Sequence, residues 1–164
     1  MVYIGEYKLC CVPFVRNMLS SRRHGGRMAR KVAISGSRNY PSGKSWLVQQ
    51  CIATEYRRCN GEILFLVGDC PTGVDSITKS FLETAGWDFK EFFADWEKYG
   101  KKAGPYRNMD MIDYGAELLI AFPENGSKGT RQCATYAKSL NIPVYFPEIE
   151  DWHRWAVPIA TLRE

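Results

Sequence analysis

Lys31-Val32-Ala33-Ile34-Ser35-Gly36-Ser37-Arg38, residues 31–38, is a short apolar run that ends at a glycine. The chain repeats this arrangement. Further strands are read at Ile63–Val67, Phe89–Phe93, Leu118–Phe122 and Val144–Phe146, and the first strand is read over Val32–Ser35. The gaps carry helical patterns over Ser42–Arg58, Val74–Ala85, Pro105–Tyr114 and Thr130–Leu140, with Gly61, Gly86 and Gly115 near their ends as stop signals. Short apolar strands alternating with longer helices are the pattern of a parallel sheet covered on both faces. The expected fold is α/β, an open parallel sheet of five strands with helices on both sides.

A chain of 164 residues fits one domain, since a unit of this size buries roughly 70% of its extended surface. With 45% hydrophobic and 24% charged residues, the composition is that of a soluble globular protein. The net charge of +4 is unevenly spread. Lys8, Arg16, Arg22, Arg23, Arg27, Arg30 and Lys31 stand against Glu6 alone in the first 31 positions, and charges nearly cancel beyond them. The basicity belongs to the leader, so nucleic acid is disfavoured as a partner of the domain. Residues 1–30 show no sustained period and are read either as a disordered leader or, for residues 1–27, as sequence ahead of a start at Met28. Codons for Gly25 and Gly26 can form a purine-rich ribosome-binding sequence there. Residues 31–147 form the domain, and residues 148–164 form a tail whose Trp152, Trp155, Val157 and Ile159 are expected to pack back on it.

The cysteines, six in all, include no C-x-x-C pair and no histidine at ligand spacing, so no zinc site or other metal is expected, and no cofactor is called for. Reduced thiols place the chain in the cytoplasm. No apolar run approaches the ~20 residues of a membrane span.

In an open α/β sheet, ligands lie beyond the carboxyl ends of the strands, where helix N-termini and unpaired backbone N–H groups converge. Here those positions hold Gly36-Ser37-Arg38 after the first strand and Gly68-Asp69, then Thr72-Gly73-Val74-Asp75, after the second. After the fourth comes Asn125-Gly126-Ser127-Lys128-Gly129-Thr130. Glycine at a strand end is common in any turn. Three such turns on one sheet edge, each with polar side chains suited to phosphate or sugar, point to a ligand site. The segment after the third strand, Ala94 to Asn108, adds Asp95, the rings of Trp96 and Tyr99, and Arg107-Asn108 at the start of a helix. Those features suit a flat base beside an anionic group. Lys101 and Lys102 have no spacing that separates them from a solvated edge.

At these residues the chain resembles the YspA-like branch of the SLOG superfamily, Rossmann-like domains related to DprA and to the Lonely Guy phosphoribohydrolases. The resemblance spans Val32 to Phe146. It is carried by Gly36-Ser37-Arg38, Gly68-Asp69 with Gly73 and Asp75, Ala94-Asp95-Trp96, Gly100-Lys101, Gly104-Pro105, Arg107-Asn108 with Met111, and Gly129-Thr130. It implies a nucleotide or nucleotide-derived small molecule as partner, bound by a sensor or sequestering module, and self-association into a homo-oligomer. The alternative it raises is hydrolysis of an N-glycosidic bond. Arg107 resembles the arginine that assists cleavage in the Lonely Guy enzymes, but their phosphate turn reads P-G-G-x-G-T-x-x-E and Cys133 stands at the glutamate position. An oxocarbenium-like transition state needs a nearby anion or general acid, which a neutral thiol does not supply. Asp69, Asp75 and Glu124 are the candidate replacements, and binding is the reading the turns favour.

Overall fold

The computed structural model describes residues 29–124 and 126–147. The leader and the tail lie outside the described residues. Strands β1 (Arg30–Gly36), β2 (Ile63–Gly68), β3 (Phe89–Phe92), β4 (Leu118–Phe122) and β5 (Val144–Tyr145) form one all-parallel sheet in the order β3-β2-β1-β4-β5. The expected α/β architecture is therefore observed, a Rossmann-like sheet with β1 at its centre.

Side chains of a strand point alternately to the two faces, and the core divides accordingly. Val32 and Ile34 of β1, with Phe65 and Val67 of β2 and Ile120 and Phe122 of β4, meet helices α1 (Ser45–Arg58) and α2 (Gly73–Ala85) through Val48, Ile52, Val74 and Leu82. Ala33, Leu66, Leu119 and Ala121 face the other way, onto Met111 and Ile112 of α4 (Ala103–Asp113) and Ala134 and Ala137 of α5 (Lys128–Ser139). β4 is buried throughout, whereas every residue of the edge strand β3 is half-buried. A continuous apolar run thus marks a strand covered on both faces.

Several boundaries shift by one to three residues from the sequence expectation, and three of the differences have a clear local cause. Ser42–Lys44 form a 3-10 turn ahead of α1, and α4 begins at Ala103, so that Pro105 sits in its first turn, where its missing N–H costs nothing. The third difference is a helical turn not foreseen, α3 (Trp96–Tyr99), followed by a 3-10 turn over Gly100–Lys102. Four residues are too few for a periodic signal. The Asp95 side chain starts α3 by accepting the Lys98 N–H at 2.9 Å, as an N-cap does.

Candidate functional site

β1 and β4 are neighbours, yet the helices that follow them, α1 and α5, lie on opposite faces of the sheet. The chain leaving each strand therefore diverges, and a crevice opens at their carboxyl ends, as at the switch point of any doubly wound sheet. A cleft of about 570 Å³ lies there. Gly36, Ser37, Arg38, Asp75, Arg107, Asn108, Gly126, Gly129 and Thr130 of the sequence-predicted set line it.

The remaining predicted residues shape this cleft from behind. Gly68 is the clearest. A Cβ there would lie 1.4 Å from Arg107 Nη1 and 2.3 Å from Asp75 Oδ2, so only glycine leaves room for that ion pair. Gly73, at φ +69°, opens α2 against the backbone of Ser37, whose carbonyl oxygen would be 2.0 Å from a Cβ. The same carbonyl accepts the Val74 N–H at 3.2 Å, which occupies the start of α2 with protein rather than ligand. Asp69 accepts the Ala94 N–H at 3.0 Å and so fastens the loop after β3 to the end of β2. Asp95 caps α3 and Glu124 holds Lys44 at 3.1 Å. Trp96, read as a platform for a base, is 48% exposed and carries the Arg38 guanidinium 5.4 Å from its ring centroid. The ring supports the cation beside the cleft instead of lining it.

The turn after β1 is held by two bonds. Ser37 N–H donates to Phe122 O at 3.0 Å, tying β1 to β4, and Ser37 Oγ accepts the Asn39 N–H at 3.1 Å. Arg38, between them, is exposed at the cleft. On the opposite side, α5 starts at Lys128 with Ser127 as N-cap, and the Ser127 side chain makes no bond to the helix backbone. Its hydroxyl donates to Thr130 Oγ1 at 2.9 Å. Thr130 is thus the third helical residue and not the cap. A helix of this length carries roughly half a positive charge at such an end, with backbone N–H groups turned outward. Nothing stands within 4 Å of a Cβ built on Gly126 or Gly129, so this end is open.

The floor of the cleft is a buried charge network. Arg107, 8% exposed, reaches Asp75 Oδ2 at 3.1 Å and Asp69 Oδ1 at 3.3 Å through Nη1. Its buried Nε has no hydrogen-bond partner among the described residues. Asp75 also accepts the Cys70 N–H at 3.3 Å. Burial pushes the Asp75 carboxyl above its ordinary value, against the pull of Arg107 and that N–H. Cys133 lies buried near Ser35 and Arg107, and burial pushes its thiol up to about 11. Burial thus keeps it in the neutral form at physiological pH.

Lys101, Lys102, Ser127 and Lys128 also line the cleft, although the sequence does not by itself name them as ligand-binding. The two lysines, read as a solvated edge, are brought there by the 3-10 turn that doubles back after α3.

No family model matches the chain, and no solved structure does. It is 34% identical over 120 residues to the Gene 61 protein of Mycobacterium phage D29, a match that spans 70% of this chain and 94% of the phage protein. The chain belongs to the family of that phage protein. In this member of the Gene 61 protein family no group of three or more His, Cys, Asp or Glu side chains able to hold a metal ion occurs among the described residues. Nor, among them, is any helix long and apolar enough to cross a membrane.

Proposed function

We propose that this protein binds a nucleotide or nucleotide-derived small molecule in the switch-point cleft, as a sensor or sequestering module of the SLOG, YspA-like kind. The observation that carries the reading is the open, uncapped start of α5, which faces a cleft whose floor holds the unpartnered Nε of a buried arginine. An anion at the start of α5 is stabilised by the helix dipole and by backbone N–H donors. Arg38 lines the same cleft with its guanidinium over the Trp96 ring. The cleft volume lies within the range of small-molecule sites.

Binding is favoured over N-glycosidic hydrolysis by the state of the acidic groups. Glu124 is tied to Lys44, Asp69 is committed to Ala94 and Arg107, and Asp75 is paired with Arg107. Arg107, the candidate for assisting cleavage, is held by two carboxylates. Native mass spectrometry of protein purified from cells tests the binder reading through a co-purifying nucleotide. Incubation with nucleoside monophosphates is expected to release no free base, and rapid release would overturn the preference. Cytoplasmic location and self-association belong to the same proposal, and sedimentation velocity over a concentration series tests the second.

A further inference from the structure

The cleft carries more positive charge than one phosphate monoester needs. Arg38, Lys101, Lys102 and Lys128 line it, and among the described residues none of them has an ion pair. Several cations elsewhere are matched by carboxylates, and what sets these four apart is that they line one opening. Arg30 and Arg58 share Glu55, Lys79 holds Glu91 and Lys44 holds Glu124. Arg38 instead meets a tryptophan ring. The lone carboxylate in the lining, Asp75, is spent on Arg107. The four cations come from three separate segments, the turn after β1, the 3-10 turn before α4 and the first residue of α5. Like charges gathered round one opening repel, and an anion that joins them relieves the repulsion.

We infer that the ligand bears at least two anionic groups, as in a nucleoside diphosphate or a diphosphate-linked nucleotide. This rests on the nucleotide reading above. One anionic group occupies the start of α5 beside Lys128, in the space left open at Gly126 and Gly129; the Lys128 N–H is already spent on the Gly126 carbonyl at 2.8 Å, so the donors offered are those that follow it. The second lies toward Arg38, Lys101 and Lys102. Arg38 belongs to both by position, since it follows β1, the strand next to β4.

The test is titration calorimetry of the full chain, in metal-free buffer, with AMP, ADP, ADP-ribose and inorganic pyrophosphate. ADP and ADP-ribose are expected to bind at least about tenfold more tightly than AMP, a difference of about 1.4 kcal/mol. The preference should shrink as salt is added, because these cations are exposed and screened. In the Lys101→Gln/Lys102→Gln double variant, the ratio of ADP to AMP affinity should fall to near unity at an unchanged melting temperature. AMP binding as tightly as ADP, or a ratio that survives the double variant, overturns the inference and leaves the nucleotide reading standing. Pyrophosphate binding as tightly as ADP overturns the nucleotide reading, and the absence of binding by all four overturns both.

Discussion

Replacing Gly68 by alanine tests the link between the buried charge network and the cleft. The added Cβ would lie 1.4 Å from Arg107 Nη1, so the guanidinium must leave its place between Asp69 and Asp75. The arginine can swing, being the far end of a flexible side chain. Its two carboxylates cannot follow. Breaking a buried pair while leaving one partner behind costs about 3–5 kcal/mol. The lower end applies here, since the Asp75 carboxyl is already raised by burial and escapes part of the cost by taking up a proton. We expect Gly68→Ala to lower the unfolding free energy by about 3 kcal/mol at pH 7. The sign with pH follows. Without Arg107, the folded-state value of Asp75 rises further above its unfolded one, so stability is lost as pH rises through that window. Urea denaturation at pH 5 and pH 8 should therefore show the larger deficit at pH 8. The cost should also be smaller in an Asp75→Asn background, because the pair is already gone. A deficit that is the same in both backgrounds and at both pH values would refute the ion pair as its cause.

Arg38→Ala should weaken nucleotide binding while leaving the melting temperature nearly unchanged, since Arg38 is exposed and its contact is a tryptophan ring; unaltered affinity would remove it from the site. Thr130→Ala should cost about 1 kcal/mol of binding, or about fivefold in affinity, through loss of its hydroxyl. Measured on one sample, a purely thermal effect would assign that hydroxyl to its bond with Ser127 alone. Asp75→Asn should gain stability relative to the wild type as pH rises from the unfolded value of 3.8 toward the raised folded one, because the unfolded wild-type chain ionises first. A difference that moves the other way would show that Arg107 outweighs burial.

Most strands were legible because they are bounded apolar runs, and β4, covered on both faces, was read to the residue; the edge strand β3 carries Lys90 and Glu91 between its phenylalanines. Their order was not. Nothing in the alternation of strand and helix says that the chain crosses from β3 back past β1 to form β4. The glycine turns were legible as a group at the sheet edge, yet the work of each glycine was not. Gly68 answers to Arg107, far along the chain, and Gly73 answers to the backbone of Ser37. Such requirements arise only when distant segments meet. Trp96 was read as open to a ligand because its partner Arg38 stands in the turn after β1, far away in sequence, and the sequence does not reveal that the two stack. Lys101 and Lys102 were passed over for a related reason, since a 3-10 turn of three residues has no period to announce it.

The residues at the strand ends thus divide by what neutralises them. Gly68, Asp69, Gly73, Asp75 and Arg107 make a floor whose charges are met almost wholly by one another. Arg38, Lys101, Lys102 and Lys128 make a rim with no acidic partner among the described residues, and the open start of α5 lies among them. On the proposed binding reading, the floor is fixed by its own pairs, whereas the rim side chains lose their freedom only when a ligand joins them. The two sets should therefore separate in experiment. Floor variants should lose stability and affinity together, whereas rim variants should lose affinity at constant stability. The same division weighs against bond cleavage, because the acidic groups that would act on a sugar are all engaged in holding the floor or its edges together.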